Sequence, residues 1–215
     1  MIGFGTALLL IRRLSRGSAL PPEGVLDLIL GALLVTIATS RVLFVLLNWS
    51  DYSGHWRDWL RVWEGGLSFH GGLIGGVAWV SWYAWRHRLR PLWLTDLVVP
   101  GVALGYAITR VGCFLNGCCY GTPTSLPWAV QFHDPPLSAH VTPPSHPVQL
   151  YATVLNLAIC AYLFRRAPHK RFDGQLLVTY FILYSIYRFL AEALRRGVTG
   201  QVFWLGMTKG QWASI

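Results

Sequence analysis

The sequence predicts an all-α fold, a polytopic transmembrane helix bundle with an outer-face interfacial helix and a Pro-rich outer loop. Three observations carry that expectation. Hydrophobic residues make up 53% of the 215 residues and charged ones only 13%, about half the charge of a soluble domain. Five stretches approach the roughly 20 residues that cross a hydrocarbon core about 30 Å thick. The Lys and Arg residues gather in alternate connections between those stretches, as they do when one side of a bilayer holds them.

The elements follow in order, within a single transmembrane domain over 1–215. Residues 1–11 are apolar but too short to span alone. Basic Arg12, Arg13 and Arg16 follow this stretch instead of preceding it, so it reads as the second half of a helix and not as a signal peptide. The full spans are 25–49, 66–85, 97–115, 147–164 and 174–194, and the chain ends at 206–215 without another. Between the first two spans, Trp56, Trp59, Leu60 and Trp63 recur at helical spacing among Arg57, Asp58, Arg61 and Glu64. That pattern predicts a short helix lying in the interface. Residues 117–146 hold six of the 12 prolines, with one short strand expected at 128–132. A proline-dense loop of about 30 residues inside a compact protein points to function more than to a plain connection.

Charge fixes the expected orientation. Loops 12–24, 86–95 and 165–173 hold ten of the 18 Lys and Arg residues, and the opposite loops hold five. The first set is therefore cytoplasmic and the N-terminus lies outside. The net charge of +9 is thus a topology signal, and nucleic-acid binding is set aside.

The remaining three basic residues, Arg41, Arg110 and Arg188, lie inside predicted spans. A charge within a span is costly and marks a functional site by default. Counting along each helix at about 1.5 Å per residue places Arg41, His70, Arg110, Arg188 and Glu192 roughly 5–12 Å below the outer surface. Arginines at one depth in the outer leaflet suit an anion, and the common anion there is a lipid phosphate. Arg188 and Glu192, four residues apart, also fit an intrahelical pair. Gly71/Gly75, Gly72/Gly76 and Gly101/Gly105 suit close helix packing, or room for an acyl chain.

Cys113, Cys118 and Cys119 form a C-x4-C-C cluster, with Cys160 alone in an apolar span. The spacing is not a standard zinc motif. The alternatives are buried thiols, a disulfide from Cys113 to Cys118 or Cys119, a metal site completed by His133, His140 or His146, or thiol chemistry.

Four segments in register resemble the prolipoprotein diacylglyceryl transferase family over essentially the whole chain. They are Trp63-Glu64-Gly65-Gly66-Leu67-Ser68-Phe69-His70-Gly71-Gly72, the run Arg110 to Gly121 followed by Pro127-Trp128-Ala129, His146-Pro147-Val148-Gln149-Leu150-Tyr151, and Tyr184 to Glu192. Gly210-Gln211 resembles the terminal element. The resemblance implies an enzyme of the bacterial inner membrane, with no metal or organic cofactor. It would move the diacylglyceryl group of phosphatidylglycerol onto the lipobox cysteine thiol of lipoprotein precursors, releasing glycerol 1-phosphate. It implies catalytic roles for Arg110 and Arg188 on the phosphate and for His70 as general base. Arg41, Gly71, Gly72, Asn116, Gly121, Tyr184 and Glu192 would bind or shape substrate. The chain departs from the family where Cys113 stands for Asn, Cys118 for Glu and Ala152 for Glu, and it begins within the family's first helix. A non-catalytic phospholipid-binding relative, or a thiol-redox or metal protein using the three cysteines, are the alternatives.

Overall fold

The computed structural model describes residues 2–54, 56–133, 140–194, 202–204 and 207–208. The chain forms two compact units, Ser15–Thr95 and a second made of Met1–Leu14 with Asp96–Ile215. Helix α5 (Pro91–Leu115) runs through the boundary in sequence.

The unit of residues 15–95 is built on α2 (Pro22–Leu47) and α4 (Phe69–Arg86), with the single turn α3 (Trp49–Tyr52) between them. Pro22 opens α2, where a missing N–H costs nothing and its fixed φ already suits a helix. The α2–α4 seam is made by small residues. A methyl group added at Gly71 would overlap the Thr39 carbonyl and Ser40 Cα, one at Gly75 would overlap Thr39, and one at Gly31 the Trp79 ring. These glycines bring two backbones together, which answers the choice between packing and lipid space at that seam. The Trp79 indole donates to Leu28 O at 2.9 Å and the Tyr83 hydroxyl to Gly24 O at 2.9 Å, so the polar ends of both rings are satisfied on α2.

The other unit holds α1 (Ile2–Ser15), most of α5, α6 (Val148–Arg166) and α7 (Gln175–Glu192). Val99 and Ala103 of α5, Ile159, Cys160 and Leu163 of α6 and Leu176 of α7 form its core. Asp96 organises the start of α7. Its carboxylate accepts Leu176 N and Leu177 N on one oxygen, at 3.0 and 3.1 Å, and Gly174 N and Lys170 Nζ on the other, at 2.9 and 3.0 Å. A buried acid from α5 thereby supplies the cap that the N-terminus of α7 lacks locally, with its charge at the favourable end of the helix dipole. Strands β1 (Val202–Trp204) and β2 (Met207–Thr208) pair antiparallel.

Helices Pro22–Leu47 and Pro91–Leu115, and the helical stretch Val148–His169, are long and apolar enough to cross a membrane. Helices α4 and α7, at 18 residues each, sit at the lower limit of about 17 for a span. Two local expectations change. The interfacial helix is two short 3-10 segments, Trp56–Leu60 and Val62–Glu64. Arg61, at ψ +65°, breaks the run between them, and Gly54 and Gly65, both at φ +91°, lie beyond its two ends. The strand expected at 128–132 reduces to isolated bridges, Val130 with Ser145 and His133 with Val141, because the flanking prolines cannot sustain a ladder. The terminal element at Gly210-Gln211 lies outside the described residues.

Candidate functional site

In the unit containing α5–α7, the site grows from the last turns of α5. The Arg110 guanidinium lies over the Tyr106 ring, 4.8 Å from its centroid, and its Nε is buried with no hydrogen-bond partner. Tyr106 sits one turn earlier, so i,i+4 spacing makes the stack. Tyr106 meets Tyr184 edge-on at 5.5 Å, and Tyr184 in turn contacts Tyr180 and Tyr187. Three of those four tyrosines come from α7, so α7 walls one side of Arg110. On the same helix, Arg188 Nη1 pairs with the buried Glu192 Oε2. That pair leaves the other donors of Arg188 available to an anion, since a guanidinium carries five N–H groups. Arg110, Tyr184, Arg188 and Glu192 are thus gathered within one unit.

The end of α5 explains the cysteines. Gly117, at φ +68°, donates its N–H to Phe114 O at 3.1 Å, and Cys118 N donates to Cys113 O at 3.1 Å. These two bonds are a Schellman C-cap, with Gly117 in the left-handed position that favours glycine. The motif folds the residue after the glycine back over the last helical turn, so C-x4-C places Cys118 beside Cys113. Cys119 is also left-handed, at φ +64°, and turns in the same direction. The three Sγ atoms lie within 4.8 Å of one another. All four cysteines are free thiols. No histidine joins the cluster among the described residues, so His133, His140 and His146 do not complete a ligand set. Gln149 Nε2, buried at the start of α6, donates to Cys118 O at 2.7 Å and anchors the loop from outside.

Asn116 is exposed at the same cap, its N–H bonded to Gly112 O at 3.0 Å. Gly121 is buried, and a side chain there would collide with Leu194 O, Val148 and His146. Its N–H donates to His146 O at 2.9 Å, and Thr122 N donates to Leu194 O at 2.9 Å. Gly121 therefore ties the proline-rich loop to the end of α7 and the start of α6. Tyr151 adds a second tie, accepting from Trp128 Nε1 at 2.7 Å.

In the unit of residues 15–95, Arg41 is 5% exposed and committed to the backbone. It donates from Nε to Trp59 O, from Nη1 to Gly65 O and Gly66 O, and from Nη2 to Asp58 O, at 2.6–3.0 Å. Four of its five N–H donors thus hold the segment that leads into α4. Ser68 N donates to Ser40 O at 3.0 Å and fixes the same segment. His70 follows in the first turn of α4, exposed, its ring edge-on to Phe69 at 5.8 Å and without a hydrogen-bond partner among the described residues. Gly71 and Gly72 press against Thr39 and Ser40. Beside Arg41 runs an apolar groove of about 380 Å³ lined by Leu34, Ile37, Val42, Leu46, Trp59 and Leu60.

Sequence reasoning missed Tyr106, Asp96 and Gln149. Tyr106 had a local signal, four residues before Arg110, and Gln149 stands within the His146–Tyr151 segment that carries the resemblance.

A family model described as prolipoprotein diacylglyceryl transferase matches residues 1–215. Proteins named phosphatidylglycerol–prolipoprotein diacylglyceryl transferase are similar to this chain. That of Synechococcus elongatus is 36% identical over 192 residues, covering 85% of this chain and 66% of its own length. That of Thermosynechococcus vestitus is 34% identical over 191 residues, 86% and 71%. The Synechocystis sp. protein is 36% identical over 177 residues, 79% and 62%. The chain therefore spans about two thirds of the length of these relatives.

Proposed function

The chain belongs to the prolipoprotein diacylglyceryl transferase family, and on that premise we propose that it is a transferase acting on phosphatidylglycerol. The diacylglyceryl group moves to the lipobox cysteine thiol of a lipoprotein precursor. The thiol sulfur attacks the terminal glycerol carbon of the diacylglyceryl group. The carbon–oxygen bond to phosphate breaks, and glycerol 1-phosphate leaves with the electron pair. The protein is embedded in the bacterial inner membrane with its N-terminus outside and its site toward the outer leaflet, as the distribution of basic loops supports.

The observation that carries this reading is Arg110, held over Tyr106 with its Nε buried and unpartnered, in the same unit as Arg188. Charge grows on the phosphate oxygen as the bond breaks, and a guanidinium already in place stabilises that charge without reorganisation. Arg188 adds a second guanidinium, oriented by Glu192. Tyr184 and the neighbouring tyrosines keep water away from the charges and strengthen them. Asn116 and Gly121 shape the loop side of the site. In the other unit, exposed His70 is the imidazole that the family resemblance assigns as general base for the thiol. Arg41, Gly71 and Gly72 set the approach to His70, and the groove beside Arg41 offers an apolar surface for an acyl chain.

Purified protein in mixed micelles of phosphatidylglycerol would be given a lipobox peptide and the peptide weighed intact. The expected result is a gain of one diacylglyceryl unit on the cysteine. An unmodified peptide beside a working positive control would instead favour a non-catalytic phospholipid-binding relative.

A further inference from the structure

We propose that Cys113, Cys118 and Cys119 form a three-thiolate site for a zinc-class ion whose fourth coordination position takes an external thiol. The acceptor it would take is the lipobox cysteine, so the proposal rests on the transferase reading above.

The geometry is set by backbone structure rather than by chance proximity. The Schellman cap joins the last turn of α5 to Cys118 through two main-chain bonds, and Gln149 holds the Cys118 carbonyl from α6. Within that frame the three Sγ atoms come within 4.8 Å of one another. Sulfurs bound to one zinc at about 2.3 Å in tetrahedral geometry stand about 3.8 Å apart, a difference that side-chain rotation covers. The donor set is entirely thiol, which selects soft and borderline ions such as zinc over magnesium or calcium. Cys113 and Cys118 are half-buried and Cys119 is exposed, so one face of the cluster is closed by protein and the other is reachable. Three protein ligands with an open position is the arrangement of catalytic zinc, whereas four ligands close a structural site.

The chemistry fits the acceptor. A free thiol has a pKa near 8.5 and is mostly protonated at neutral pH, while a metal-bound thiol is deprotonated outright. On coordination the S–H proton leaves to water, and the sulfur keeps its electron pair. That sulfur then forms the bond to glycerol carbon as the bond to phosphate oxygen breaks. No oxidant or reductant is required. Arg110 lies one turn before Cys113 on α5, so the thiolate and the proposed phosphate anchor share one end of one helix.

The test uses the full chain, purified in detergent under reducing conditions, with Co²⁺ as a visible stand-in for Zn²⁺. One equivalent should produce thiolate-to-metal charge-transfer absorption that Zn²⁺ abolishes, with the thiols of Cys113, Cys118 and Cys119 reacting more slowly with a thiol reagent than in metal-free protein. Cys113→Ser should weaken binding by more than about tenfold, since even partners outside a ligand set are worth that much. Cys160→Ser, in the packed core, should leave it unchanged. Adding lipobox peptide should shift the Co²⁺ ligand-field bands, and the peptide with serine for cysteine should not. Cluster thiols as reactive at saturating metal as in metal-free protein, or a disulfide within the cluster, would overturn the site. A Co²⁺ spectrum indifferent to the peptide would overturn the open position. The mass assay separates the two readings. Undiminished transfer by metal-free protein removes the ion's role and leaves the transferase standing. A peptide-sensitive Co²⁺ spectrum without transfer removes the transferase and leaves the thiol site.

Discussion

Arg41 and Arg110 have the same side chain within apolar helices, yet their surroundings give them opposite work. Arg41 spends four donors on the carbonyls of Asp58, Trp59, Gly65 and Gly66, and two aromatic rings flank it at 5.7 and 5.2 Å. Arg110 rests on one tyrosine, and its buried Nε has no partner. A guanidinium whose donors are consumed by main chain is a clamp. One seated on a ring, with a buried Nε that no acceptor takes, has the arrangement that the proposed anion role requires. The rule that an intramembrane charge marks function therefore finds both residues but does not distinguish them; the hydrogen-bond inventory does.

The largest expected effect tests that distinction directly. Arg110→Ala should lower transfer by about 10²–10³-fold, the loss seen when one pre-set donor to developing charge is removed, with thermal stability in detergent little changed. Arg188→Ala should act in the same direction, with an added stability loss because the buried Glu192 is left without its pair. Arg110→Lys should recover only part, since a point charge does not reproduce the planar fork. Full transfer by both alanine variants would remove the phosphate role and erase the contrast with Arg41.

How far the sequence reveals this contrast depends on which contacts are local. The helices were legible because their apolar length is set by the bilayer. Arg110, Arg188 and Glu192 were legible because a charge stands out in such a run. Tyr106 was legible in principle through its i,i+4 relation to Arg110. The convergence of the cysteines was half legible: C-x4-C reads as no motif until Gly117 is recognised as the residue after a helix end. Asp96 was not legible. Its partners lie 74 to 81 residues away, and at the edge of a span an acid looks like any loop charge. The fate of Arg41 was equally hidden, because the carbonyls it holds belong to a segment whose pattern suggested a continuous helix.

Asp96 provides the second test, from the side of structure. Asp96→Ala removes three main-chain hydrogen bonds at the start of α7 and one of the two carboxylates that hold the Lys170 ammonium, leaving Asp173 as its remaining carboxylate. A loss of about 3 kcal/mol is expected, the lower end for breaking a mostly buried pair, measured as unfolding in graded denaturing detergent. Because α7 also carries Tyr184 and Arg188, transfer should fall with the folded fraction. An unchanged melt would show that α7 is held by its apolar face alone.

Arg41→Ala should cost about 2–3 kcal/mol, the range for hydrogen bonds to a charged group when carbonyl acceptors are left behind. Its signature separates it from Arg110: the folded fraction falls, and transfer per folded molecule falls much less. A variant that melts normally but no longer transfers would move Arg41 from the clamp to the substrate site.

The smallest effect is the most specific. Tyr106→Leu removes the ring beneath Arg110 and keeps an apolar side chain of useful size. A cation over an aromatic face is worth about 0.5–2 kcal/mol, more when desolvated, so transfer should fall by roughly three- to thirtyfold. Tyr106→Phe keeps the ring face and loses only the hydroxyl, which makes it the control. If the ring positions Arg110, Phe should retain most activity and Leu should not. If the hydroxyl matters more, through its contacts with Tyr184 and Tyr187 on α7, both variants should fall together. Either result keeps Arg110 as the anion site. Equal, full activity in both would mean that its charge and unpartnered Nε, and not its seat on Tyr106, carry the whole difference from Arg41.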